Sequence, residues 1–298
     1  MVSAGWSGAT YIVSNKNFIA KEVIDLIEKY QVTKTLLSPS HALILNSRNL
    51  GTKTLESLKS ISCTGEKLSL ETRKKYDKYL SPDCKFIYSY ASSERSSMSF
   101  TTTNEYNESS GKLGPNISMK ITDENGNQLG PNEHGEICIK RDIPWNGYYG
   151  DQKLTDEVYD PETLWYKTGD VGYFNEEGDL FVVHRLNEVI VVSPVERYEI
   201  SPSEIEEHIL KMPEVTDCCV VGIPDDANIH LIGALVVKAK GTDLVEESVT
   251  KFVENNMPIC NRLMGGVYFV DSIPLTSTGK VLRREAVKIA QELYKRRM

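Results

Sequence analysis

The segment WYKTGDVGYFNEEGDL, residues 165–180, sets Thr168-Gly169-Asp170 after a loop and before an apolar strand. An ionised aspartate on a tight glycine turn offers two acceptor oxygens and no donor, which complements the paired hydroxyls of a ribose. The plainer use of the same three residues is an Asx turn. Around the segment, from about residue 100 to 184, the pattern has period two: Ile117, Met119 and Ile121 alternate with polar residues. Asn125-Gly126 is a turn signal, and GEICIKR (135–141) and GDLFVVHR (178–185) read as further strands, so an antiparallel subdomain is predicted.

Upstream, apolar runs alternate with helical patterns, the rhythm of an α/β layer on a largely parallel sheet. ATYIVS (9–14), TKTLLSP (33–39), KSISCTG (59–65) and KFIYSY (85–90) read as strands. Ile19, Val23, Ile24 and Ile27 share one helical face, and LSLETRKKYDKYL (68–80) reads as a helix with a polar outer face. Downstream the chain reads as a compact α+β unit. Ser201 and Glu204 form a capping-box signal for the helix PSEIEEHILKM (202–212), which Pro213 helps to end. TDCCVVGI (216–223) and GGVYFVDSI (265–273) are predicted strands, and LVEESVTKFVENNM (244–257) and RREAVKIAQELYKRR (283–297) predicted helices. A domain boundary is expected near residues 185–187.

The 298 residues suffice for one large domain or two ordinary ones. With 40 % hydrophobic and 26 % charged residues the chain reads as globular. Its net charge of −8 argues against nucleic acid as a partner, since phosphate contacts need clustered Lys and Arg. The six cysteines (Cys63, Cys84, Cys138, Cys218, Cys219, Cys260) show neither metal-site spacing nor a disulfide framework and suit a reducing compartment. Cys218 and Cys219, adjacent on a strand, are expected on opposite faces. No apolar run approaches the roughly 18 residues of a membrane helix, and the first residues lack the features of a signal peptide. The expected location is intracellular.

Two further segments carry chemistry. PLTSTGKVLRRE (274–285) places Lys280 on a small-residue loop suited to bringing a point charge to an anion, or simply to solvent. YSYASSERSS (88–97) ends a strand in hydroxylated residues around Glu94, at the strand end where ligands sit in parallel sheets. His184 is either a titrating group or, more plainly, a strand-end histidine satisfied by a neighbour.

Each motif is weak alone, but their order is specific. SCTGEKLS, YASSE, GEICIKRDIPWNGYYGD, YKTGD, VVHR, SPSEIE, VVGIPDD and TSTGK, in that sequence, resemble the adenylate-forming superfamily of AMP-binding acyl-CoA ligases, in its 4-coumarate-CoA-ligase-like and insect luciferase-like branch. The resemblance spans essentially the whole chain. It implies a partial large α/β adenylation domain with an antiparallel β-subdomain (1–186), followed by a small α+β C-terminal lid domain (187–298). The implied reaction is ATP-dependent activation of a fatty or aryl carboxylic acid to an acyl-adenylate and transfer to coenzyme A, with ATP/AMP and Mg2+ as cofactors. Matched by motif, Tyr90 is the adenine-stacking tyrosine, Gly65 and Glu66 the adenine-side loop, Ser93 and Glu94 the hydroxyl and Mg2+-associated carboxylate. Asp170 is the ribose carboxylate, Arg185 the nucleotide arginine, Asn187 the hinge and Lys280 the catalytic lysine.

The sequence departs from the family pattern. No Ser/Thr/Gly-rich phosphate loop ending in lysine is present, so the chain is expected to begin partway into the large domain, as a truncated ligase, a fragment of a full-length one, or a non-catalytic nucleotide- or partner-binding remnant. His184 replaces an aspartate and Ala91 a glycine, VVSPVERYE (191–199) replaces the Lys-x-Lys-Gly stretch on the coenzyme A side, and Ile229-His230 replaces Gly-Glu. The resemblance also admits a peroxisomal location, although the terminal KRRM is not an SKL-type signal.

Overall fold

The computed structural model describes residues 8–13, 19–39, 41, 55–65, 68, 70, 73–74, 80–101, 107–192, 199–224, 230–276 and 280–297. Helix α1 (Ala20–Tyr30) lays Ala20, Ile24 and Ile27 against the first sheet and stops at Gln31, whose left-handed conformation turns the chain into β1 (Lys34–Leu37). Strands β1, β2 (Ser60–Thr64) and β3 (Lys85–Ser92) are parallel, as predicted. Strands β4 (Ser96–Phe100) and β5 (Lys112–Leu113) extend the sheet antiparallel, giving the order β1-β2-β3-β4-β5.

Residues 9–13 of the predicted ATYIVS strand are not a strand, and Tyr11 and Val13 are exposed. Alternating residues make a strand only where a neighbour accepts the backbone hydrogen bonds, and among the described residues none pairs with them. Of the helix predicted over 68–80, Leu70, Arg73 and Lys74 are helical and most of the rest lies outside the described residues.

The antiparallel subdomain is a four-stranded sheet in sequence order, β6 (Ser118–Thr122), β7 (Gly135–Lys140), β8 (Trp165–Phe174) and β9 (Leu180–Arg185). The Asn125-Gly126 turn forms as read: Asp123 Oδ1 accepts from the amides of Asn125 (2.9 Å) and Asn127 (2.8 Å). Ile121, Ile137, Ile139 and Leu180 on its inner face pack with Met98 of β4, joining this sheet to the first. Between β7 and β8, helix α2 (Gln152–Val158) is capped by Asp151, which accepts from Leu154 N at 2.9 Å.

After a 3-10 turn at Leu186–Glu188, the ribbon β10 (Ile190–Val191) and β11 (Glu199–Ile200) leads into α3 (Pro202–Ile209). Then come β12 (Val215–Pro224), β13 (His230–Lys238), α4 (Glu246–Asn256), β14 (Gly266–Phe269) and α5 (Arg283–Lys295). Strand β13 is central, antiparallel to β12 and parallel to β14. Cys218 faces the cluster built on α3 and α4 while Cys219 faces the cluster built on α5, so the adjacent thiols serve two cores, as expected.

The capping box does not form. Ser201 occupies the N-cap, but its hydroxyl meets Ser203 Oγ at 3.0 Å and makes no bond to a helix amide. The helix also ends at Ile209, short of Met212, because Lys211 and Met212 bond back to His208 and Ile209 in a tighter turn. The buried clusters drawn from residues 20–182 and those drawn from residues 190–294 share no member. Among the described residues no helix is long and apolar enough to cross a membrane.

Candidate functional site

Asp170 is aimed by a local irregularity in β8. Thr168 Oγ1 donates to Ile137 O (2.8 Å) and accepts from Asp170 N (3.1 Å), while Gly169, at φ +73°, turns its own amide to Glu136 Oε1 (3.2 Å). A side chain at 169 would meet no neighbour, so the glycine is required by backbone conformation alone. The kink leaves Asp170 opposite Arg185 in the β8–β9 register, with Arg185 Nη1 3.7 Å from Asp170 Oδ1. The Tyr90 hydroxyl at the end of β3 donates to Asp170 Oδ2 at 2.5 Å. Burial pushes the Asp170 carboxyl above its ordinary value, against the opposing pull of Tyr90 and Arg185. Burial and the Asp170 charge also push the Tyr90 hydroxyl up, so it remains a donor.

Ser93 and Glu94 sit at the tip of the β3–β4 hairpin. Ser92 pairs with Ser96, and Ser96 at φ +61° completes the three-residue connection at a steric cost of about 1 kcal/mol for a non-glycine residue. Lys280 arrives from the other half of the chain on a second hairpin. Leu275 bridges Val281, Thr276 N donates to Lys280 O (2.7 Å), and Lys280 N donates to Thr276 Oγ1 (2.9 Å).

These residues meet. Gly65, Tyr90, Ser93, Glu94, Asp170, Arg185 and Lys280 all line one cavity of about 500 Å3. A Cβ built on Gly65 would lie 3.5 Å from Lys280 Cε, so the lysine stem crosses the end of β2. Glu66 lies outside the described residues, as do residues 193–198 of the VVSPVERYE stretch and Ile229. Asn187 does not line this cavity; it stands exposed in the 3-10 turn, at a separate cavity of about 290 Å3.

Sequence reasoning missed several participants. Tyr148 donates to Glu94 Oε1 at 3.0 Å and lies 3.4 Å from the hydroxyl of Tyr166, a cavity residue. Trp145 packs edge-on against both rings. The WNGYYGD stretch signalled this cluster by its aromatic content, but nothing in its spacing pointed to Glu94. Arg95 is buried with Nε and Nη2 unpartnered, its guanidinium about 6 Å from the rings of Tyr159 and Tyr166. Arg283, on the cavity wall, is forked onto Glu206 (2.7 and 3.0 Å) and reaches Glu188 (3.0 Å). His184 lines the cavity, and among the described residues no neighbour bonds its buried Nδ1, in contrast to the satisfied histidine expected there.

Among the described residues no group of three or more side chains could hold a metal ion alone. Mg2+ characteristically takes one or two carboxylates and completes its shell with water and substrate phosphates. Glu94, with Oε1 bonded to Tyr148 and its side chain on the cavity wall, fits that requirement.

The model of the AMP-binding enzyme family matches residues 1–149, and that of the AMP-binding enzyme C-terminal domain matches residues 204–280. The chain is 33 % identical over 293 residues to peroxisomal OPC-8:0-CoA ligase 1 of Arabidopsis thaliana, covering 95 % of this chain and 52 % of the relative. It is 31 % identical over 273 residues to luciferin 4-monooxygenase of Nipponoluciola cruciata, covering 91 % of this chain and 49 % of the relative. The anthranilate CoA ligase AuaEII, solved with anthranoyl-AMP, superposes with a TM-score of 0.84 at 18 % identity, over 97 % of this chain and 56 % of that one. The chain thus spans about half the length of the relatives it matches.

Proposed function

Because the chain belongs to the AMP-binding enzyme family, we propose that its cavity takes ATP and a fatty or aryl carboxylic acid, and that it is the site of acyl-adenylate formation followed by transfer to coenzyme A. One observation carries this reading: Lys280 and Asp170, from opposite halves of the chain, line a single cavity. In the first step a carboxylate oxygen attacks the α-phosphorus, a P–O bond forms, and the bond to the β-phosphate breaks with pyrophosphate leaving. In the second a thiolate attacks the acyl carbon and AMP leaves.

In this reading Asp170 accepts from the ribose hydroxyls, which requires the Tyr90 donor to be shared or displaced, and Arg185 directs its half-exposed fork at the nucleotide. Lys280 supplies positive charge where negative charge develops on the α-phosphate, a contribution typically worth about 100-fold or more in rate. Glu94, with Ser93 beside it on the hairpin tip, would hold Mg2+, which neutralises phosphate charge when bound. Gly65, at φ +102°, takes a backbone conformation that side chains rarely adopt, beneath the Lys280 stem at the end of β2. We further propose a boundary between residues 186 and 187, with Asn187 as the pivot, supported by the separate cores on either side. Coenzyme A as the acceptor rests on the likeness to CoA ligases. All six cysteines are free thiols, which suits a reducing location such as the cytoplasm.

The test is ATP–pyrophosphate exchange by the 298-residue chain with a panel of carboxylic acids. Exchange that Lys280→Ala lowers by about 100-fold or more supports the reading. AMP binding without exchange for any acid assigns nucleotide binding alone and rejects catalysis by this chain.

A further inference from the structure

Glu94 stands at the tip of a hairpin, where a carboxylate is free to sample rotamers unless something holds it. The holding group is visible. Tyr148 O–H donates to Glu94 Oε1 at 3.0 Å, and the Tyr148 oxygen in turn accepts from Tyr166 O–H at 3.4 Å.

Tyr148 is itself fixed from three sides. Its amide donates to Thr155 Oγ1 (2.9 Å), and Thr155 is anchored on Asp151 O (2.8 Å) at the start of α2. Gly147, at φ +83°, packs so closely on Thr155 that a Cβ there would lie 2.5 Å from Thr155 Cγ2. The ring meets Trp145 edge-on, with centroids 4.9 Å apart. A rigid post built from the β7–β8 connection therefore reaches across to the β3–β4 hairpin.

We propose that Tyr148 is a positioning residue for Glu94: by occupying Oε1 it presents Oε2 to the cation that accompanies the phosphates, and Tyr166 polarises it for that task. This rests on the assignment of Glu94 to Mg2+ above. Deleting the Tyr148 hydroxyl frees the carboxylate without removing it, so the metal-dependent part of nucleotide binding weakens while the nucleoside part does not.

The experiment is calorimetry on the full chain with two titrations, AMP without metal and Mg2+ into the ATP-saturated protein. Tyr148→Phe is expected to raise the Mg2+ concentration for half-saturation by about 10-fold, the range of one hydrogen bond to a charged group, and to leave metal-free AMP affinity within twofold. Tyr166→Phe, which keeps the Tyr148–Glu94 bond, should give a smaller shift of about twofold to threefold. Glu94→Gln tests the underlying assignment, since unchanged Mg2+ dependence there rejects Glu94 as the metal carboxylate. Normal Mg2+ half-saturation in Tyr148→Phe, with Glu94→Gln impaired, overturns the positioning role alone. If Tyr148→Phe fails to fold, Thr155→Val takes its place, since it removes the acceptor that anchors Tyr148 N and leaves the hydroxyl in the chain; unchanged Mg2+ half-saturation there overturns the positioning role.

Discussion

A carboxylate under a tyrosine hydroxyl and beside an arginine would ordinarily ionise easily, yet at Asp170 burial outweighs both. The native state therefore binds the Asp170 proton more tightly than the unfolded chain does. Stability from this group falls as pH rises from the ordinary carboxylate value near 3.8 through the raised native value, and is lowest above it. Asp170→Asn removes that slope. Its urea stability relative to wild type should improve between pH 4 and pH 7, while its affinity for AMP drops by about 10-fold or more through loss of the charged acceptor. A variant that loses stability relative to wild type as pH rises would show that the carboxylate is stabilised by Tyr90 and Arg185 after all.

Two hairpins and one helix bring the chemistry to the cavity. The β3–β4 hairpin carries Ser93 and Glu94, the Leu275–Val281 hairpin carries Lys280, and α5 begins three residues after that lysine with Arg283. Arg283 also accepts no freedom of its own: besides Glu206 and Glu188 it donates to Val220 O (3.0 Å), tying α5 to α3, β12 and the 3-10 turn. Glu206 in turn accepts from Val220 N at 2.8 Å, so the pair is part of the packing of the second unit. Arg283→Met leaves the Glu206 carboxylate without its counter-charge and should cost about 3 kcal/mol in urea unfolding. The double variant with Glu206→Leu should recover most of that loss, and a double variant as unstable as the single would mean that α5 is held mainly by its apolar face.

At the scale of the molecule, the cavity wall is shared by the end of β3 and its hairpin, by Asp170 of β8 and Arg185 of β9, and by Lys280 and Arg283 from the other half of the chain. AMP bound there should slow backbone deuterium exchange in peptides from the β3–β4 hairpin and in peptides covering residues 275–285 together. Protection confined to the first of these would mean that the second unit does not cover the nucleotide in solution. The opposite side of the first sheet behaves differently. Leu36 on β1, the edge strand of that sheet among the described residues, is 67 % exposed, an apolar edge position of the kind that natural sheets usually cover or charge.

Strand positions in the antiparallel subdomain, the parallel β1–β3 layer and the split of Cys218 and Cys219 between two cores were all legible in the sequence, because period and turn chemistry are local properties. So was the meeting of Gly65, Tyr90, Ser93, Glu94, Asp170, Arg185 and Lys280 on one cavity, since ordered short motifs identify a family without coordinates, whereas Asn187 lies at another cavity and Glu66 outside the described residues. The Ser201 capping box was misread because its hydroxyl turns to Ser203, a local choice that residue types do not fix, and the ATYIVS strand because a pairing partner is settled by neighbours distant in sequence. The links from Tyr148 to Glu94, from Tyr90 to Asp170 and from Arg283 to Glu188 were invisible for the same reason. Sequence alone determined which chemical groups this protein owns and which local shapes carry them; only tertiary structure decided which groups touch, because hydrogen bonds and burial depend on distances that chain order does not encode.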